Sequence, residues 1–305
     1  MNKLEQIIKT CKKLTDLPYN KFNLENYYFH IDKFCDFNNN FMDTNPNNPI
    51  KLMSGRHPQA GIVTCNIIHG AKYKKNIYII GKGILFDSGG YNLKTGKSGS
   101  YGMHGDKAGM IIALSVANYL KGNVIAYCPV TTNFLHTSQI TPGDIIKIGD
   151  KKVLVNNTDA EGRLLLIEAI STLNASKNDV IITIATLTGC CEYAVDKATG
   201  VLTPNDNLAK LFLNASEEEK EYAWRLPMFD YMDKFYKKQP FKNAENKIKA
   251  GTSEAAVFIK QFVKYPENWC HLDIASSTFD KDGKSNGVPI KSLINFIRKL
   301  NGKPI

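Results

Sequence analysis

The chain has 305 residues, 43% of them hydrophobic and 22% charged, with a formal net charge of +10 and a pI near 9.1. That length and apolar content support one large folded domain or two, and they exclude a disordered or fibrous protein. The positive charge is spread among Asn, Asp and Glu with no densely basic tract, so no nucleic-acid partner is expected.

The seven cysteines show no Cys-x-x-Cys and no Cys/His ligand spacing, which argues against a disulfide framework and against a zinc finger. Met1 to Gln6 carries charge but opens no apolar stretch, so no secretory signal is expected. No run of about 18 apolar residues occurs, so no membrane span is expected either. A reducing cytoplasm is the expected location.

In chain order, residues 3–14 read as an amphipathic helix with Leu4, Ile7, Ile8, Cys11 and Leu14 on one stripe, ended by Pro18. A weaker helical pattern covers Leu24 to Phe34, and an Asn- and Pro-rich loop runs from Phe37 to Pro49. Residues 1–50 are expected to form a helical and loop segment packed on one large domain, 51–305, with no internal repeat. From Gly61 the pattern alternates β and α. Strands are predicted at Ile62–Ile68, Ile77–Phe86, Val124–Val130, Val153–Val155, Val180–Leu187 and Trp269–Ala275. Helices are predicted at Asp106–Leu120, Glu161–Leu173, Cys190–Lys197, Asn207–Tyr222 and Ile290–Leu300. Strands apolar on both faces and separated by helices predict a mixed, largely parallel central sheet with helices on both faces, an α/β/α sandwich.

Active sites in such sheets lie beyond the carboxyl ends of the strands, and three strand-to-helix junctions there concentrate charge. The first holds Lys82, Asp87 and Lys94, the second Asp106, and the third Asp159, Glu161 and Arg163. Singly, each has a plain reading: Asp106 as a helix N-cap, Asp159 as a turn residue, Arg163 as a solvated helix residue. Gly81 and Gly83 lack the third glycine of a dinucleotide fingerprint, and Gly90, Gly96, Lys97 and Ser98 miss the spacing of a phosphate loop. Together, four carboxylates crowded into one hollow would repel by about 4 kcal/mol per pair at 4 Å and an effective dielectric of 20. Lys94 and Arg163 compensate two charges, and one or two divalent ions would fill the deficit. An oxygen-rich ligand set of this kind accepts Zn, Mn, Mg or Co.

Three motifs stand in a recognisable order. They are Gly81-Lys82-Gly83-x-x-Phe86-Asp87-Ser88-Gly89-Gly90-x-x-x-Lys94, Met103-x-x-Asp106-x-x-Gly109, and Asn156-x-Thr158-Asp159-Ala160-Glu161-Gly162-Arg163-Leu164. With Ala185–Gly189 (ATLTG), Ala198–Val201 (ATGV), Trp224–Pro227 (WRLP) and His271–Ala275 (HLDIA), they resemble the leucine aminopeptidase (cytosol aminopeptidase) family over nearly the whole chain. The resemblance implies a zinc-peptidase-like fold and a metallo-aminopeptidase. Such an enzyme would hydrolyse the N-terminal residue, Leu- or Met-like, from peptides with a free N-terminus by a hydroxide activated between two metal ions. Two-metal sites of this class lower the pKa of bound water from about 15.7 to about 7.

Residue by residue, the resemblance implies that Asp87 and Glu161 share two divalent ions, that Asp159 completes the more exchangeable site, and that Lys82 and Asp106 complete the tighter one. A lysine ligand must be neutral, so its pKa of about 10.4 would have to fall. Lys94 would stabilise the oxyanion, and Arg163 would hold a bicarbonate that shuttles the proton. Met103, Thr186, Leu187 and Gly189 would line the pocket for the first side chain and the substrate backbone. A homo-oligomer, a hexamer built as a dimer of trimers, is also implied. Full-length relatives carry a further N-terminal domain of roughly 150 residues, which this sequence is expected to lack. Other departures are Lys107 where a neutral residue is usual, Glu254 in place of Thr, Ser276 in place of Gly, and an extra residue between Lys94 and Asp106. They leave open a second function, a catalytically inactive oligomeric scaffold or binding protein that keeps the fold.

Overall fold

A computed structural model of the chain describes residues 1–35, 39–65, 75–96 and 99–300. The chain begins with α1 (Lys3–Asp16), opened by Asn2, whose side chain accepts the Glu5 amide while the Glu5 carboxylate accepts the Asn2 amide. Next come α2 (Tyr27–Phe34), β1 (Asn39–Met42), α3 (Pro49–Met53) and β2 (Gly61–Cys65). The start of the predicted Asn-rich loop and the end of the Ile62–Ile68 run lie outside the described residues, as do Lys97 and Ser98.

The apolar run Ile77–Phe86 is two strands rather than one, β3 (Ile77–Gly81) and β4 (Gly83–Asp87), broken at Lys82. A 3₁₀ turn over Met103–Lys107 leads into α4 (Ala108–Leu120), followed by β5 (Val124–Asn133), β6 (Ile145–Ile148), β7 (Lys151–Leu154) and α5 (Glu161–Thr172). Then follow β8 (Val180–Ala185), α6 (Cys190–Val195), β9 (Thr199–Leu202), α7 (Asp206–Glu218), β10 (Ala223–Arg225), β11 (Phe241–Lys242) and α8 (Gly251–Lys260). The last elements are β12 (Trp269–Asp273) and α9 (Ile290–Leu300).

Nine strands form one mixed sheet in the order β1-β2-β5-β3-β8-β12-β9-β10, with β4 also on β5. Its centre is parallel, since β3 pairs with β5 and β8, β4 with β5, and β8 with β12 in that sense, while β1, β2 and β9 join antiparallel. These central strands are buried along their length, as strands covered on both faces must be. Helix α4 packs on β3, β5 and β8 with α1 and α9 against it, while α5 packs on β3 and β5 with α3 and α8 against it.

The predicted strand at Val153–Val155 is the exception to the central sheet. It is β7, in a separate three-stranded sheet of order β11-β7-β6. β6 alternates exposed and buried residues, the pattern of a sheet with one wet face, and Lys151 and Lys152 keep β7 out of a doubly covered position. The acidic stretch Asn156–Arg163 is therefore delivered from a side sheet into the central one.

Candidate active site

Lys82 sits where the β3–β4 run breaks: its amide donates to the Ile184 carbonyl at 3.0 Å and its own carbonyl accepts the Met110 amide at 2.9 Å. Helix α4 starts almost in contact with the strands, because a Cβ on Gly109 would lie 2.3 Å from the Ile184 carbonyl oxygen and one on Gly81 would lie 2.4 Å from that of Gly109. Both glycines are thus steric requirements of this close approach. The approach brings Asp106, in the 3₁₀ turn, to 2.8 Å from the Lys82 ammonium. Glu161 Oε1 lies 3.0 Å from the same nitrogen, which also donates to the Thr186 carbonyl at 3.1 Å. Thr186 Oγ1 donates to Asp106 Oδ1 at 3.2 Å. Asp106 is accordingly not a helix cap; Lys107 precedes α4 and no side chain caps it.

Asp87 ends β4 opposite Asn133 at the end of β5. The Asn133 amide donates to Asp87 Oδ1 at 2.7 Å, to the Thr158 carbonyl at 3.1 Å and to Glu161 Oε2 at 3.4 Å. Gln139 orients it by donating to Asn133 Oδ1 at 2.6 Å. Lys94 Nζ lies 2.8 Å from Asp87 Oδ2 and 2.6 Å from Asp159 Oδ1. Oxygens of Asp87, Asp106 and Glu161, all buried, lie within 4.8 Å of one another, a spacing that can hold a metal ion. Asp159 stands outside that group, tied to it through Lys94.

The electrostatics show a shortage of positive charge. Burial, and after it the neighbouring Asp87, pushes Glu161 above the usual carboxylate range, and burial pushes Asp159 up as well. Burial opposes the charge of Lys82, yet Asp106, Glu161 and Asp87 together outweigh it and hold Lys82 above the ordinary lysine value. Lys94 is raised in the same way, burial being outweighed by Asp87 and Glu161. Without metal, then, Lys82 is a counter-ion, the reverse of the neutral lysine the family resemblance requires. Divalent ions among the same carboxylates would take over the compensation and remove what holds that proton. Four carboxylates against two ammonium groups fit such ions.

These groups line an open cavity of about 400 Å³ with Met103, Thr186, Leu187 and Gly189. The cavity is also lined by Thr188 and Ala275, which lie inside the quoted motifs without being named as site residues, and by Gly102, Glu192, Phe279 and Gly283, which nothing in the local spacing marks. The wall Thr186–Gly189 is shaped from β12. Asp273 accepts the Leu187 amide at 3.2 Å, the Thr188 amide at 3.1 Å and the Thr188 hydroxyl at 2.7 Å. Burial pushes the Asp273 carboxyl up to about 6 against these donors.

Arg163 is the one predicted site residue that is not part of the cavity lining. It is buried, and its Nη1 bonds the Glu254 carboxylate and, at 2.7 Å, the Asn243 carbonyl. Lys107 neither faces the carboxylates nor reaches solvent. Fully buried, it donates to the Leu17 carbonyl at 2.8 Å and to that of His104 at 2.6 Å, with the Phe22 ring 5.4 Å away. Ser276 donates to the Ala198 carbonyl at 2.7 Å, tying the end of β12 to the approach to β9.

The fold and this cluster define an α/β protein with an acidic, metal-type site at the carboxyl ends of parallel strands. Residues 50–294 match the model of the cytosol aminopeptidase family, catalytic domain, and the chain belongs to that family. A probable cytosol aminopeptidase of Synechococcus sp. is 38% identical over 241 residues, covering 73% of this chain and 49% of the relative. One from Chromobacterium violaceum is 38% identical over 244 residues, covering 75% and 46%. One from Colwellia psychrerythraea is 34% identical over 325 aligned positions, covering 97% and 63%. The chain thus spans about half the length of several curated relatives it matches. No described helix is long and apolar enough to cross a membrane.

Proposed function

We infer that this chain is the hydrolytic unit of a metal-dependent aminopeptidase that removes an N-terminal Leu- or Met-like residue from peptides. The observation that carries the reading is the trio of buried carboxylates, Asp87, Asp106 and Glu161, converging at one end of an open cavity. Lys82, Asp87, Asp106, Asp159 and Glu161 would hold two divalent ions, Zn or Mn with Mg or Co as substitutes. Such ions supply Lewis-acid activation of water and of the scissile carbonyl.

With the ions bound the carboxylates are compensated, so selection for an open N-terminus would rest on the free α-amine's capacity to ligate a metal, which a blocked terminus lacks. The chain's own groups do the rest. Lys94, an ammonium at the cavity wall, stands ready to stabilise the oxyanion of the tetrahedral intermediate. Met103, Leu187, Ala275 and Phe279 present apolar surface for the first side chain. Thr186, Leu187 and Gly189 border the path of the substrate backbone. A cytoplasmic homo-oligomer, a hexamer formed as a dimer of trimers, completes the reading, which rests there on the family alone.

The test is cleavage of leucine-p-nitroanilide and of Leu-initiated peptides with added Mn or Zn. Turnover is expected with free N-termini, none with N-acetylated peptides and none after chelation. Metal binding without turnover under any divalent ion would replace this reading with the scaffold alternative.

A further inference from the structure

The resemblance places a bicarbonate ion on Arg163, and the groups around Arg163 do not fit one. The guanidinium already has an anion, the carboxylate of Glu254, brought from α8 to the first turn of α5. Both side chains are buried. The other oxygen of Glu254 is held from within the chain, because Oε1 accepts the Tyr236 hydroxyl at 2.5 Å and the Glu245 amide at 3.0 Å. Burial, and then Glu254 itself, raises Tyr236 above the ordinary phenol value, so it remains a donor. A bicarbonate here would have to share the guanidinium with a second buried anion and would meet its repulsion.

The same junction fixes the acidic loop. Arg163 also donates to the carbonyl of Asn243, whose side-chain oxygen accepts the Asn156 and Asn157 amides at 2.9 and 3.2 Å and whose amide donates to the Asn157 carbonyl at 2.7 Å. Asp159 and Glu161 lie two and four residues beyond Asn157.

We propose that Glu254 is a built-in counter-anion for Arg163, so that this enzyme works without an exogenous bicarbonate. Resting on the aminopeptidase reading for its kinetic arm, the proposal makes Glu254 a positioning residue that acts through Arg163. A neutral residue at 254 reopens the guanidinium to a small anion.

The test uses the metal-loaded protein in carbonate-free buffer at constant ionic strength, titrated with sodium bicarbonate against chloride. The wild-type rate should not change. Glu254→Thr and Glu254→Ala should lose about ten- to a hundredfold in kcat and recover most of it, saturably, with bicarbonate. Glu254→Asp, which keeps the charge, should stay insensitive. A merely structural residue would lower the melting temperature without anion rescue, and that result overturns the proposal. So does a wild type that bicarbonate accelerates severalfold. Binding of ¹³C-bicarbonate followed by NMR is the arm that needs no turnover and, on wild type, no variant that folds. Wild type should not bind and Glu254→Thr should; saturable binding to wild type overturns the proposal even if the protein cleaves nothing, a failure that would count against the aminopeptidase reading instead.

Discussion

Two buried charge centres flank the first turn of α5, and they are built on opposite plans. On the cavity side, Asp87, Asp106, Asp159 and Glu161 share Lys82 and Lys94 among the described residues, and burial pushes two of the acids up despite those cations. On the far side, Arg163 meets a single carboxylate, Glu254, which Tyr236 and a backbone amide complete. The first centre is unbalanced and open to a cavity; the second is balanced and closed. A charge deficit facing a cavity marks a place for a ligand of the missing sign, whereas a satisfied pair marks a fixture that holds the ligand-binding side in register.

The strongest way to break this contrast is Glu161→Gln. Removing one shared carboxylate should cut metal-dependent turnover at least about a thousandfold, roughly 4 kcal/mol of lost stabilisation. Because Glu161 is held against its preferred ionisation by burial and by Asp87, the metal-free variant should melt no lower than wild type. Wild-type turnover in Glu161→Gln would remove that residue from the site. Asn133→Ala is a milder probe: it strips the amide that orients both Asp87 and Glu161. Metal affinity by calorimetry should fall about 10- to 100-fold, with a stability loss of about 1–3 kcal/mol from the orphaned partners. Unchanged affinity would show that the carboxylates hold their geometry without it.

The open centre was legible in the sequence because its residues sit at strand ends, in short motifs whose glycines and acids are each required locally. Gly81 and Gly109 are forced by backbone contact, and the α/β alternation follows from apolar strands separated by periodic helices. The closed centre was not legible. Arg163 and Glu254 are joined across 91 residues, and a lone Glu in Gly251–Ala255 carries no sign of its partner. The side sheet was missed for a related reason, since β6 and β11 are too short and too wet to stand out by pattern. Phe279 reaches the cavity from a loop whose path depends on tertiary packing.

Lys107 sharpens the contrast as a further buried charge, one with neither plan. Sequence adjacency puts it beside Asp106, but the 3₁₀ turn sends the two side chains apart. Among the described residues its ammonium donates to the carbonyls of Leu17 and His104 alone. Burial therefore pulls it from the ordinary 10.5 down to about 7, with Asp16 and Asp106 opposing weakly. Between those two values the unfolded chain carries a proton that the fold does not, so stability should rise with pH, by up to about 1.4 kcal/mol per unit. Lys107→Met keeps the length of the side chain and removes the titration. Urea midpoints of the metal-free proteins, taken from about pH 7 to about pH 9, should climb more steeply for wild type than for the variant. Parallel lines would mean that the buried lysine keeps its proton, and that two carbonyls and the Phe22 face hold a charge as well as the carboxylates around Lys82 do.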